Sequence, residues 1–95
     1  MIKRIVKLSF KSQHINDFKE LFEHYKDYIL KSPGCNSVQL LQDNNQKNTF
    51  FTFSIWDNIE SLEEYRKSTL FNNVWKKTKV MFDERAQAWS THEIL

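Results

Sequence analysis

The sequence is poor in three residue types on which many functional sites depend. Among its 95 residues there is one glycine, Gly34, one proline, Pro33, and one cysteine, Cys35. A single glycine excludes the glycine-rich loops that bind mononucleotide and dinucleotide phosphates. A single cysteine excludes a disulfide framework within the chain and metal sites made of cysteine alone, and it is typical of a reducing compartment.

Long hydrophobic runs and a strong excess of one charge are also absent. No apolar run approaches the ~20 residues that span a bilayer, and the first residues lack the apolar segment of a signal peptide. Fourteen Lys and Arg against 12 Asp and Glu leave a net charge of +2, whereas a nucleic-acid interface needs clustered positive charge. We therefore expect a cytoplasmic protein with one domain over residues 1–95, whose partner is neither a membrane nor a nucleic acid.

Aromatic residues, by contrast, are plentiful, with eight Phe, three Trp and three Tyr, and the apolar positions follow clear periods. Alternation over residues 2–10 predicts a half-buried strand. Apolar residues spaced three and four apart over residues 15–29 predict an amphipathic helix. The Ser-Pro-Gly segment at 32–34 should end this helix, because the residue before a proline is pushed out of the helical region.

The rest of the chain predicts a hairpin, two helices and a strand. Residues 35–42 and 49–56 are compatible with strands and flank a polar turn. A helix should then begin near residue 57, with Asp57 or Ser61 as its cap, and Ser68 should cap a second helix over residues 70–85. With a last strand over 86–95, the order is β-α-β-β-α-β, which is the ferredoxin-like α+β arrangement with an antiparallel sheet.

Both faces of this predicted sheet carry apolar residues. On the third strand Phe51, Phe53 and Ile55 lie opposite Trp56, and Ile5 is an apolar exception on the polar side of the first strand. Helices cover only one face of such a sheet, and a second copy of the chain is the simplest cover for the other. The sequence therefore predicts a homodimer.

Reactive side chains are scattered rather than clustered. His14, His24 and His92 are far apart and none has a metal-ligand spacing, so no metal site is expected. His14 and His24 are expected to be ordinary surface residues exposed to solvent. His92 lies on the predicted last strand and would line a cavity if its side chain faced inward. Cys35 fits a small buried residue at the start of a strand better than a catalytic thiol.

What remains is a set of aromatic and polar residues that could line one pocket: Trp56, Phe22, Phe71, Trp75, Arg66, Thr78 and Arg85. A charge within an apolar helical arc must be paired, extended toward water or used on a ligand. Alternatives stay open for each. Ordinary core packing would explain the aromatic residues, an ion pair would explain Arg66, and the negative end of a helix would explain Arg85.

These segments resemble the antibiotic biosynthesis monooxygenase domain family. The similarity lies in Pro33-Gly34-Cys35, in residues 40–43 and 50–56, in residues 62–71, and in Val74-Trp75. The resemblance implies a dimeric α+β barrel, in which two ferredoxin-like sheets meet with the helices outside. It also implies oxidation of quinols or polycyclic phenolic compounds by molecular oxygen, without metal or flavin, in a pocket between sheet and helices.

The resemblance also implies roles for particular residues. Trp56 corresponds to the strand-end tryptophan of the family's pocket, and Arg66 is a candidate for an arginine that assists some members. A second branch of the family degrades heme with an axial histidine that would fall near Trp75, where this chain has no histidine. Heme degradation is therefore not expected.

Two hypotheses of function follow. The first is a cofactor-independent monooxygenase that acts on a small aromatic substrate, with Trp56 and Arg66 as catalytic residues. Its substrate would be bound by Phe22, Phe71, Trp75, Thr78 and His92. The second is a non-catalytic dimeric module that binds a ligand or a partner and whose aromatic residues are simply core.

Overall fold

A computed structural model describes all 95 residues and confirms the ferredoxin-like arrangement. The elements are β1 (Ile2–Ser9), a 3-10 turn (Ser12–His14), α1 (Ile15–Leu30), β2 (Cys35–Gln42), β3 (Thr49–Trp56), α2 (Ile59–Arg66), α3 (Thr69–Lys79) and β4 (Gln87–Thr91). The strands form one antiparallel sheet in the order β2-β3-β1-β4. None of the helices combines the length and the hydropathy of a membrane-spanning segment.

The register of the strands separates the side chains of the sheet into two faces. Arg4 pairs with Ser54 and Ser90, whereas its neighbour Ile5 pairs with Phe53 and Trp89. Because successive side chains alternate, Arg4 and Ser54 face the helices and Ile5 and Phe53 face away from them. We call the second side the outer face; its apolar residues are Ile5, Leu41, Phe51, Phe53, Ile55 and Trp89.

Three phenylalanines form the most closely packed part of the interior, which we call the packed end. Phe10 stacks on Phe18 with ring centroids 4.2 Å apart, and Phe50 meets both rings edge-on. All three side chains are buried. Aromatic rings contribute both buried area and favourable mutual geometry, so this end anchors α1 against β1 and β3.

The helical region breaks at Ser68 as the sequence predicts. The Ser68 hydroxyl accepts a hydrogen bond from the Phe71 amide at 3.0 Å and so caps α3. The cap of α2 is Asn58, whose side chain accepts from the Ser61 amide, rather than Asp57 or Ser61. Asparagine is among the strongest N-cap residues, and its carbonyl reaches the free amides of the first turn.

Two predicted boundaries are wrong. The helix expected over residues 70–85 ends at Lys79, because Phe82 bridges to Phe10 and the Asp83 amide donates to the Ser9 carbonyl. Packing on the aromatic end of the sheet outweighs continuation of the helix. Arg85 is therefore exposed and lies outside any helix, so it does not stabilise a helix end. The last strand is also shorter than predicted and ends at Thr91.

Gly34 fixes the turn between α1 and β2. Its φ of +82° lies in the left-handed region that favours glycine. A Cβ at this position would also collide with the side chain of Ser61 on α2. The turn is thus shaped both by its own backbone and by the close approach of the next helix.

Candidate functional site

The interior between the helices and the sheet contains a cavity of about 320 Å³. Residues from all four strands and all three helices line it, and most of them are apolar. This volume lies at the lower end of the range for ligand pockets, roughly 300–1,000 Å³. The part of the interior beyond the packed end is therefore not filled by side chains.

Trp56 forms the end of the cavity where β3 finishes. Its side chain is 1% exposed, and its ring stacks on Tyr65 at a centroid distance of 4.9 Å. The indole Nε1 donates a hydrogen bond to the Ser54 hydroxyl at 2.9 Å, which satisfies this buried donor within the strand itself. The indole is thus held in one orientation, with part of its surface on the cavity.

Phe71 and Trp75 form a second aromatic surface on α3. They are four residues apart, one helical turn, so their side chains lie on the same face. Their rings are nearly parallel, with an interplanar angle of 9° and centroids 5.9 Å apart, and both are half-buried. Tyr65 meets Phe71 edge-on and joins this surface to Trp56. We call the four rings of Trp56, Tyr65, Phe71 and Trp75 the open end of the interior.

Tyr65 is the one phenol that borders the cavity. Burial raises the pKa of its hydroxyl well above the ordinary value, with a smaller contribution from Cys35. The phenol therefore stays protonated at neutral pH, where it can donate a hydrogen bond to a ligand but does not act as a phenolate base.

Two arginines border the cavity, one from the sheet and one from α2. Arg66 forms an ion pair with Glu63 one turn earlier, with Nη1 3.2 Å from Oε1. Arg4 is half-buried and donates from Nη1 to the Ser90 hydroxyl at 2.9 Å. Burial lowers the pKa of Arg4, and the nearby positive charge of Arg66 lowers it further, whereas Glu63 acts in the opposite direction.

The remaining predicted residues differ in their placement. Phe22 is buried on α1 and forms part of the cavity wall. Thr78 is buried on α3, and its hydroxyl donates to the Val74 carbonyl at 2.7 Å, which leaves only its acceptor capacity for a ligand. The structure thus brings Trp56, Arg66, Phe22, Phe71, Trp75 and Thr78 to one cavity.

His92 does not belong to this group. It follows the end of β4, is exposed, and borders a separate shallow depression beside the N-terminus. The predicted strand over residues 86–95 would have carried it alongside β1, but the strand ends one residue earlier. The prediction that His92 lines the same pocket as Trp56 is therefore wrong.

Cys35 has the environment of a structural residue. Its thiol is half-buried and donates to the Ser37 carbonyl over 3.7 Å. Burial raises its pKa, which disfavours the nucleophilic thiolate. The other two histidines lie at the surface of the protein, with His14 paired to Asp17 at 2.9 Å and His24 exposed on α1. No three His, Cys, Asp or Glu side chains converge in the structure.

Sequence reasoning missed Arg4 and Tyr65 as cavity residues. The signal for Arg4 was present, since it is the one charged residue among the alternating apolar positions of β1 that face inward. Tyr65 follows the apolar spacing of α2, so nothing in the sequence distinguished it from an ordinary core residue.

The fold and the cavity define a ferredoxin-like α+β domain with an aromatic chamber between its helices and its sheet. The family model for antibiotic biosynthesis monooxygenases matches residues 1–77. This match covers most of the chain, and the chain belongs to the antibiotic biosynthesis monooxygenase family.

Solved structures of other proteins share this fold. A crystal structure of an antibiotic biosynthesis monooxygenase has a TM-score of 0.92 with 15% sequence identity, and each chain is covered completely. A protein from Nitrosomonas europaea, provisionally named an antibiotic biosynthesis monooxygenase, has a TM-score of 0.91, 15% identity and complete coverage of both chains. A conserved protein from Methanosarcina mazei Go1 has a TM-score of 0.92 and 17% identity, over 98% of this chain and 92% of its own. At such identities the likeness concerns the fold alone, and no curated protein matches this chain in sequence.

Proposed function

We propose that this protein is a cofactor-independent monooxygenase that oxidises a small electron-rich aromatic compound, a quinol or a polycyclic phenol, in the cavity. The observation that carries the proposal is the cavity of about 320 Å³ beside the parallel rings of Phe71 and Trp75. Such a space accepts a flat molecule, and the exposed ring faces can stack on it. Family membership supports the same class of reaction.

The reaction would draw its electrons from the substrate. The substrate releases one proton to solvent, and its anion passes one electron to molecular oxygen. The substrate radical and superoxide then combine at a ring carbon that carries a hydrogen atom, and the peroxide takes up a proton to form a hydroperoxide. Loss of water from the hydroperoxide leaves a carbonyl group. One oxygen atom ends in the product and the other in water, so that no external reductant is needed.

The protein would contribute position and charge. Trp56 and Trp75 would hold the ring system in a space with little water, where electrostatic interactions are stronger than in bulk solvent. The guanidinium of Arg66 would stabilise the negative charge of the ionised substrate and of the superoxide that follows. Trp56 and Arg66 are therefore the residues to which we assign the reaction, and Phe22, Phe71 and Thr78 would shape the pocket.

The proposed active form is a homodimer. Leu41 and Trp89 on the outer face are 48% and 46% exposed, and the strand that carries Trp89 is exposed throughout. A sheet whose second face is apolar needs a cover, and a second copy stacked face to face would bury the outer face of both chains. Phe53→Glu, which places a charge at the centre of this face, should give a monomer in light scattering. A variant that remains dimeric would contradict this arrangement.

Oxygen uptake with a panel of naphthohydroquinones and anthrones, corrected for uncatalysed oxidation, tests the activity. With ¹⁸O₂, a monooxygenase transfers one labelled atom to the product, whereas a simple dehydrogenation transfers none. Trp75→Leu removes the stacking surface and should lower kcat/KM about tenfold. Tyr28→Leu, on the exposed side of α1, is the matched control and should retain the wild-type rate.

Absence of any catalysed uptake, together with binding of the corresponding quinones, would favour the non-catalytic ligand-binding module. That alternative has one observation in its favour. No carboxylate or histidine lines the cavity to act as an acid or base.

A further inference from the structure

The charges around the cavity are unbalanced. Arg4 and Arg66 are the only residues in the cavity wall that carry a charge at neutral pH. Glu63 lies beside Arg66 and neutralises one of these two charges. Glu63 also lies near enough to Arg4 to act on its charge, so the two arginines share one carboxylate and leave one net positive charge at the cavity.

Arg4 carries the unbalanced charge. It is half-buried, it has no carboxylate within ion-pair distance, and its protein acceptor is the neutral hydroxyl of Ser90. A guanidinium has five N–H donors in a planar fork. Holding such a group partly away from water costs free energy unless an anion or several acceptors compensate it.

A second copy of the chain on the outer face would not supply the missing anion. Arg4 pairs in register with Ser54, and both side chains face the helices rather than the outer face. An anion bound on the inner side of Arg4 would therefore lie in the cavity.

We propose that the ligand of this cavity is an aromatic acid, whose ionised acidic group is bound by Arg4 with the help of Arg66. The inference rests on the proposed function and narrows its substrate class from neutral quinols to aromatic compounds that carry a carboxylate or a similarly acidic group. The apolar wall accepts the ring system, and the planar guanidinium fork of Arg4 matches a carboxylate in two parallel hydrogen bonds.

The test is a binding experiment that does not depend on turnover. Calorimetry compares 2-naphthoate with 2-naphthamide, which has nearly the same shape and no charge. The carboxylate should bind about ten- to a hundredfold more tightly, as expected for a charge-assisted pair partly removed from water. Arg4→Met should remove most of this preference and leave the affinity for the amide unchanged, whereas Arg4→Lys should retain part of it.

Two further variants keep the result interpretable. Arg66→Met changes an exposed helical position, so it should fold even if Arg4→Met does not, and it should reduce the preference by a smaller factor. Arg85→Met removes an exposed arginine that does not border the cavity and should leave both affinities as in the wild type.

The outcomes separate this inference from the proposed function. Equal affinity for naphthoate and naphthamide, or a preference that survives both Arg4→Met and Arg66→Met, would overturn the inference and leave a neutral quinol as substrate. A clear preference for the carboxylate without oxygen uptake on any aromatic acid or quinol would support the inference and contradict the monooxygenase. Binding of neither compound would contradict the inference, whereas the monooxygenase would be judged by oxygen uptake on quinols alone.

Discussion

Both ends of the interior are lined by aromatic rings, three at the packed end and four at the open end, but the rings pack differently. At the packed end, Phe10 just after β1, Phe18 on α1 and Phe50 on β3 pack on one another, and the ring centroids of Phe10 and Phe18 are 4.2 Å apart. At the open end, the rings of Trp56 and Tyr65 stack on each other, as do those of Phe71 and Trp75, beside a cavity of about 320 Å³.

Aromatic content alone therefore does not distinguish a core from a binding site. The neighbours of the rings make the distinction. Two arginines and a phenol border the open end, whereas the phenylalanines of the packed end contact other apolar residues. A group that is costly to bury is placed where a ligand or water can meet it.

Removal of a ring should lower the free energy of unfolding much more at the packed end than at the open end. Phe10→Ala removes a fully buried ring and should lower the free energy of unfolding by about 3–5 kcal/mol. Phe71→Ala, at the open end, should cost about 1–2 kcal/mol because the ring is half-buried and already borders a cavity. Urea unfolding of both variants measures the difference. Equal losses would show that the open end is packed as core.

A backbone change tests what holds α2 over the open end. Gly34→Ala forces a left-handed conformation on a residue with a Cβ and drives that Cβ into Ser61. The expected loss of stability is about 1–3 kcal/mol, measured by thermal or urea unfolding. Pro33→Ala at the neighbouring exposed position is the control, and a Gly34→Ala variant as stable as that control would refute the account of the turn.

Removal of the Ser68 cap, which begins α3, should lower the free energy of unfolding by a smaller amount. Ser68→Ala removes the acceptor of the Phe71 amide and should cost about 1 kcal/mol. Ser68→Asn, which supplies another capping oxygen, should recover most of this stability. If Ser68→Ala and Ser68→Asn unfold at the same urea concentration, the cap does not position α3 as described.

Tyr65→Phe should have the smallest effect on stability, and this effect is confined to alkaline pH. The pKa of Tyr65 is raised in the folded protein, so its contribution to stability is complete below the unfolded tyrosine value of about 10 and is lost as pH rises above it. Tyr65→Phe should therefore lose less stability than the wild type between about pH 9 and pH 11. Unfolding curves across this range compare the two, and parallel losses would contradict a buried neutral phenol.

The sequence was sufficient for the order of the elements and for six of the 19 residues that line the cavity. Trp56 could be placed because a strand rich in β-branched and aromatic residues ends there, and Ser68 because a hydroxyl residue preceded a new apolar period. The end of α3 could not be predicted. The contact of Phe82 with Phe10 that ends it joins residues 72 positions apart, and no local pattern contains it.

Charge was harder to interpret than hydrophobicity. Arg4 stood out as an exception to the alternation of β1, but an exception in one strand does not show whether the residue meets water, a carboxylate or a ligand. Only the register with β3 and β4, together with the position of the helices over that face, shows that it borders a cavity. His92 was misplaced for the converse reason, since its position depended on a strand that ends before it.

The three tryptophans allow the most direct test that the open end is a ligand site. Trp56 and Trp75 border the cavity, whereas Trp89 lies on the outer face, so their indole N–H signals in a ¹⁵N NMR spectrum report on separate places. The titrated ligand is a naphthoquinone, the oxidised and unreactive form of the proposed substrates. The Trp56 and Trp75 signals should shift together with one Kd, and the Trp89 signal should not shift. A shift of Trp89 alone, or no shift of any indole, would contradict the account.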